Sequence, residues 1–330
     1  MRKLLAFVLA FALLLGVNAF ADTNVRFKYV YNSFYVYDPG TQVYITAQLE
    51  YPANVTAQLK DSDGTVLGEK EFTTSNTQRP FAFNIPEDWT GCHMLALYVD
   101  GEKCSDDFPV FVKEHEKTMK RVDITEKKMA ITIDCGAGGA YECAKWIELL
   151  KKYDANATFF VTGMWAERNP DAVRAIHEAG FEIGNHSYNH PHCEKITDWS
   201  VMVNELQGTN DLIEELTGVR PTLFRVPYGD WSYTMNTICK WMGFEQTVQW
   251  NMSAHDAENY SVNQMLTYSM PKEIKPGSIV LFHCASPALD QMDKVFDYYV
   301  NTMGFELVSV SELLPEGETY IDDDFVLHTK

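Results

Sequence analysis

The stretch Lys128–Ala140, KMAITIDCGAGGA, is an apolar run that ends on Asp134 and Cys135 and then bends through glycines. A β-branched run of this length, followed by Gly-rich punctuation and then by apolar residues at helical spacing, reads as strand, turn and helix. Working outward, the same alternation continues. ATFFVTG, FEIGN, TLFRV, EQTVQW, SIVLFH and FELVSV read as further strands. Tyr141–Tyr153, Pro170–Ala179, Ser200–Leu216, Trp231–Met242, Val262–Met270 and Leu289–Met303 read as the helices between and after them. Strands alternating with helices demand a parallel sheet, and this many repeats in ~185 residues predict a closed or nearly closed β/α barrel.

Upstream the pattern is different. Residues 22–112 carry short alternating runs such as QVYITAQLEY and CHMLALYVDG, separated by Asp-Pro-Gly and Asp-Gly punctuation. Short strands at this spacing predict an all-β sandwich of immunoglobulin-like size, for which glycan binding is one reading and plain sheet packing the more economical one. Residues 113–127 are charged and lack a hydrophobic period, so they read as a linker. Residues 315–330 read as a peripheral acidic tail. Residues 1–21, with two early basic residues, an apolar run and Ala19-Phe20-Ala21, have the form of a secretory signal peptide. The expected location is therefore secreted or associated with the cell envelope, with no membrane span once the leader is removed.

The formal net charge is −19, from 27 basic and 46 acidic residues. So acidic a surface disfavours nucleic acid and anionic lipid as partners and suits a neutral or cationic one. The seven cysteines are an odd number, so at least one thiol is left unpaired by disulfides within the chain. Cys92 and Cys104 do not make a pair: a two-residue turn at Asp100-Gly101 would set Cys104 opposite Leu97 and leave Cys92 roughly 16 Å along the strand, beyond the ~4.4–6.8 Å of a disulfide.

In a β/α barrel the working residues gather at the C-terminal ends of the strands. Here Asp134 and Cys135 follow the first barrel strand, His186 and His190 the third, Arg225 the fourth and His283 the sixth. The four-residue spacing of His186 and His190 would turn both imidazoles the same way on a helical turn, as a pair of metal ligands requires. Zinc takes nitrogen and sulfur donors and, in catalytic sites, leaves one position open.

These residues resemble the motifs of the polysaccharide deacetylases, the NodB-homology domains of carbohydrate esterase family four. The resemblance covers residues 128–314. Thr132–Gly136, TIDCG, stands for the family's T-F-D-D-G. H-S-x-x-H is met by His186-Ser187-Tyr188-Asn189-His190, R-x-P-Y-G by Arg225-Val226-Pro227-Tyr228-Gly229, and L-x-H by Leu281-Phe282-His283. The fourth motif departs, with Trp250–Ala257 reading WNMSAHDA and keeping only Asp256 of its two aspartates.

The resemblance implies a distorted β/α barrel and metal-assisted removal of acetyl groups from a glycan: peptidoglycan, a chitin-like polymer or xylan. By position it makes Asp134 the general base held by Arg225, and His283 the acid that protonates the leaving amine. The backbone N–H of Tyr228 becomes an oxyanion donor. His186 and His190 become ligands of a divalent ion, Zn²⁺ by donor type, and Pro227, Tyr228, Trp250 and Leu281 line the substrate groove. Cys135 stands where the family has its third metal ligand, an aspartate. It is a thiolate ligand, a neutral residue leaving that position to water, or the mark of a disabled site in a domain kept for glycan binding at the cell wall.

Overall fold

The computed structural model describes residues 25–27, 36–49, 53–61, 64–74, 79–103, 108–114, 117–196, 199–258, 260–269 and 274–330. The expected signal peptide and Cys104 lie outside these. Contacts divide the chain into two compact units, Met1–Glu114 with Ile196–Val201, and His115–Lys195 with Met202–Lys330.

Up to Glu114 the first unit is all-β among its described residues. Its strands are β1 (Val25–Phe27), β2 (Val36–Tyr37), β3 (Gln42–Leu49), β4 (Ala53–Lys60), β5 (Val66–Thr74), β6 (Arg79–Asn84), β7 (Gly91–Val99), β8 (Glu102–Lys103) and β9 (Phe108–Val112). They form one sheet in the order β1-β3-β6 and a second in the order β2-β9-β7-β4-β5, with β8 on β7. Alternation sets the buried face: Val55, Ala57 and Leu59 of β4 meet Leu95 and Leu97 of β7 and Val110 and Val112 of β9. The Asp100-Gly101 turn forms as expected, with both residues at positive φ and Tyr98 paired with Lys103. Cys92 is a free thiol.

The second unit holds β10 (Arg121–Val122), β11 (Lys128–Cys135), β12 (Thr158–Val161), β13 (Glu182–Asn185), β14 (Leu223–Phe224), β15 (Gln246–Thr247), β16 (Met252–Ser253), β17 (Ile279–His283), β18 (Glu306–Val308), β19 (Thr319–Ile321) and β20 (Val326–Thr329). The main sheet is parallel, in the order β15-β14-β13-β12-β11-β17-β16, with β18 also on β11. Its two edge strands, β15 and β16, are separated in sequence only by residues 248–251. Seven strands laid flat would put those edges roughly 29 Å apart, whereas a five-step chain reaches at most about 18 Å, so the sheet must curl. No pairing joins β15 to β16 among the described residues. The expected barrel is thus a curled, open half-barrel.

Helices α1 (Ala140–Lys152), α2 (Gly163–Arg168), α3 (Pro170–Glu178), α4 (Trp199–Thr217) and α5 (Tyr233–Trp241) connect the strands. Cys143, Trp146 and Leu150 of α1 lie at helical spacing and bury together with Met129, Ile131, Ile133 and Cys135 of β11. The opposite face of β11 holds Ala130 against Phe160, Leu223 and Ile279. Successive residues of β11 therefore serve two separate cores.

The linker and tail expectations need correction. Within residues 113–127, β10 pairs in parallel with β20, and β20 pairs antiparallel with β19, so residues 315–330 form a hairpin that completes a small third sheet. Val326 and Leu327 of that hairpin are buried. Two or three apolar residues per strand are too few to show as a period in a charged sequence.

Candidate active site

Asp134 is the last residue but one of β11 and Arg225 follows β14. Arg225 Nη1 donates to Asp134 Oδ1 at 2.9 Å and to Thr132 Oγ1 at 2.8 Å, and Nη2 donates to the Gln249 carbonyl at 3.2 Å. The guanidinium is wholly buried and lies over the Phe160 ring, 4.2 Å from its centroid. Burial alone would raise the Asp134 carboxyl, but the Arg225 charge, with His186 and His283, outweighs it and holds it below the usual range. Asp134 is therefore a carboxylate.

His186 Nδ1 lies 2.8 Å from the Arg225 carbonyl oxygen. A carbonyl only accepts, so Nδ1 carries the proton and Nε2 presents its lone pair, 3.4 Å from Asp134 Oδ2. Burial pushes the imidazole pKa down to about 4, which keeps the ring neutral. His190 is also lowered by burial, and the two rings stand 4.8 Å apart at 76°. They do not share a helical turn. Ser187 and His190 have positive φ, 63° and 58°, and the segment is a loop tied down by Glu205. One oxygen of that carboxylate accepts from Tyr188 N–H and Asn189 N–H, the other from the Asn189 side chain. Gly163 at the start of α2 makes room for this loop, because a Cβ there would stand 2.2 Å from the Tyr188 ring.

His283 ends β17 directly opposite Asp134 in the sheet register. Asp256 holds it twice, accepting from His283 N–H at 2.9 Å and bonding Nδ1 at 2.9 Å. Burial works against the imidazolium, but the Asp256 bond and charge outweigh it, so the pKa is raised. The altered fourth motif has thus kept the carboxylate that matters to His283.

Tyr228 lies beside this group, in a turn with φ 59° and its side chain exposed. Pro227 is buried in the same turn. Trp250 stands next to Gly229, where an added Cβ would come within 3.6 Å of its indole. Leu281, expected in the groove wall, is only 4% exposed. It pairs with Thr132 in mid-sheet, so it packs beneath the site rather than lining it.

Cys135 does not join the two imidazoles. Side chains alternate along β11, so if Thr132 and Asp134 reach Arg225, Cys135 faces the other way. Its thiol is fully buried among Trp146, Phe282 and the helical layer, beside the Cys284 and Cys143 thiols, and burial raises its pKa well above the ordinary value. No group of three or more His, Cys, Asp or Glu side chains able to hold a metal occurs among the described residues. Two imidazoles without a third donor do not fit the three-residue set of catalytic zinc sites.

The acid–base pairs, the two imidazoles and the half-barrel carrying them define the class. A family model described as polysaccharide deacetylase matches residues 121–247. A peptidoglycan-N-acetylglucosamine deacetylase of Bacillus cereus is 31% identical over 194 residues, which is 57% of this chain and 89% of that protein. The chain belongs to the polysaccharide deacetylase family. The protein YlxY of Bacillus subtilis is 32% identical over 190 residues, and the chain spans 57% of its length. Among solved structures, a mutant of a CE4 family pseudoenzyme from Bacillus anthracis, with restored enzymatic activity, superposes with a TM-score of 0.57 at 28% identity, over 64% of this chain and 77% of that one.

Proposed function

We propose that the second unit binds an N-acetylated glycan at the strand-end site and hydrolyses its acetyl amide, with peptidoglycan ahead of chitin-like polymers, and both ahead of xylan, whose acetyl groups are esters. The observation that supports this best is the pair of oppositely tuned groups in register, Asp134 lowered and His283 raised. Asp134 takes a proton from the attacking water while Arg225 fixes its orientation. The Tyr228 N–H donates to the acetyl oxygen as negative charge builds there, and His283 gives its proton to the departing amine as the C–N bond breaks. The order of substrates follows the relatives named as peptidoglycan deacetylases.

A second reading is binding without hydrolysis, and one observation favours it: the thiol at the third donor position faces away from the imidazoles. Acetate release from peptidoglycan and from chitotetraose, with and without added zinc, decides between the two. Release above that of the Asp134→Asn variant supports the enzyme. Retention on insoluble peptidoglycan with no release supports the binding module.

The proposal extends to the rest of the chain as residues 1–21 acting as an export signal, residues 22–112 as an immunoglobulin-like sandwich and residues 128–314 as the deacetylase domain in the cell envelope. Among the described residues no helix is long and apolar enough to cross a membrane.

A further inference from the structure

Tyr228 occupies a backbone conformation that large L-residues avoid, with φ 59° and ψ −2°. Such a conformation is strained for a residue with a side chain and persists only where its surroundings hold it. Core burial does not supply the restraint, since Tyr228 is 57% exposed. Two imidazoles do. The His190 ring meets the tyrosine ring at 4.6 Å and 72°, and the His192 ring stacks on it at 3.9 Å and 14°.

His192 is fixed in turn. Its Nδ1 lies 2.7 Å from Asp230 Oδ2, and because a carboxylate only accepts, Nδ1 is the donor. Asp230 closes the Pro227–Gly229 turn through its own N–H, which donates to the Pro227 carbonyl at 3.2 Å. The clamp thus joins the loop after His190 to the turn that carries Tyr228. The His192 side chain is 42% exposed, so its contact with Asp230 adds little stability by itself. What it provides is a fixed plane for the stack.

We propose that His192, anchored by Asp230, is a positioning residue: it locks the Tyr228 ring and so keeps the left-handed backbone that aims the Tyr228 N–H at the acetyl oxygen. The aim at that oxygen rests on the deacetylase reading, whereas the clamp on the backbone does not. An oxyanion donor acts mainly in the transition state, so loosening it lowers kcat more than it raises KM.

The test uses His192→Ala, His192→Phe and His192→Ala combined with Tyr228→Gly, each in the full chain. His192→Ala should lower kcat on chitotetraose about tenfold while KM changes little, and His192→Phe, which keeps a flat ring, should recover part of the loss. Glycine adopts positive φ without a clamp, so His192→Ala should cost nothing further in the Tyr228→Gly background. The same fold-loss in both backgrounds, or a loss confined to KM, overturns the proposal. A crystal structure of His192→Ala provides a readout independent of turnover. Tyr228 leaving the left-handed region supports the clamp, and Tyr228 staying there overturns it. If the wild type releases no acetate under any condition, the deacetylase reading fails and this structure alone decides the clamp.

Discussion

Asp134 and His283 are register partners on the neighbouring parallel strands β11 and β17, so their side chains leave the same face of the sheet at the same height. Each is anchored from a third element, Asp134 by Arg225 and His283 by Asp256. A carboxyl whose pKa is lowered and an imidazole whose pKa is raised are thereby set side by side.

Replacing Asp134 with Asn removes the proton acceptor and leaves the buried Arg225 charge without a counter-ion. Acetate release is expected to fall by ~10² or more, and urea unfolding to show a loss on the order of 3–5 kcal/mol. Full turnover in this variant would exclude Asp134 from the chemistry.

Asp256→Asn keeps the shape but removes the charge that raises His283. The His283 midpoint, followed by NMR titration, should move to lower pH. Because the acid must be protonated to work, the alkaline limb of the activity profile should move down with it. A midpoint that stays in place would show that Asp256 does not tune the imidazole.

Cys135→Ala should leave zinc affinity unchanged in calorimetry, since the thiol lies in the helical layer and away from His186 and His190. The same burial predicts that Cys135 reacts slowly with thiol reagents in the folded protein, whether or not zinc is present. A tenfold or greater loss of zinc affinity in Cys135→Ala would return the thiol to the donor set.

His328 of β20 bridges two carboxylates, with Nδ1 3.1 Å from Asp123 and Nε2 2.9 Å from Asp322. Both nitrogens face acceptors, and the bond to Asp322 leads the causes that raise the imidazole pKa. A raised pKa means that this contribution to stability is fully present below the unfolded value of ~6.5 and is lost as pH rises through the folded value. The difference in urea midpoint between wild type and His328→Gln should therefore be largest near pH 6 and shrink by pH 8.5. A constant difference would assign His328 a packing role only.

The strand-and-helix alternation was legible because long helices carry their period: Ala140–Lys152 forms where Tyr141–Tyr153 was expected, and Trp199–Thr217 where Ser200–Leu216 was. Gly163–Arg168 was not foreseen, being under two turns long. Leu289–Met303 was read as one helix, yet it breaks into short segments of different winding, Leu289–Gln291, Asp293–Asp297 and Tyr298–Thr302. Asp134, Arg225, His186, His190 and His283 were readable because local motifs carry them. Glu205, His192 and Asp230 were not, since their partners lie far off in sequence and only the folded loops join them. For Cys135 the motif left three readings open, and strand parity, which puts it with Met129, Ile131 and Ile133, favours those in which the thiol is not a ligand.

The short parallel pairing of β10 with β20 ties Arg121–Val122 to Val326–Leu327, while β11 takes partners from Thr158 as far on as Val308. Contacts of such sequence separation make a slow folder, because loop closure must precede the burial that rewards it. On a ribosome, the central strand would emerge early and wait for most of its neighbours to be synthesised. Until Val308 is made β11 lacks its partner β18, and until Val326 is made β10 lacks its partner β20, so the nascent chain carries incompletely paired strands for much of its synthesis. That interval, rather than the finished fold, is where a holdase chaperone would find its substrate.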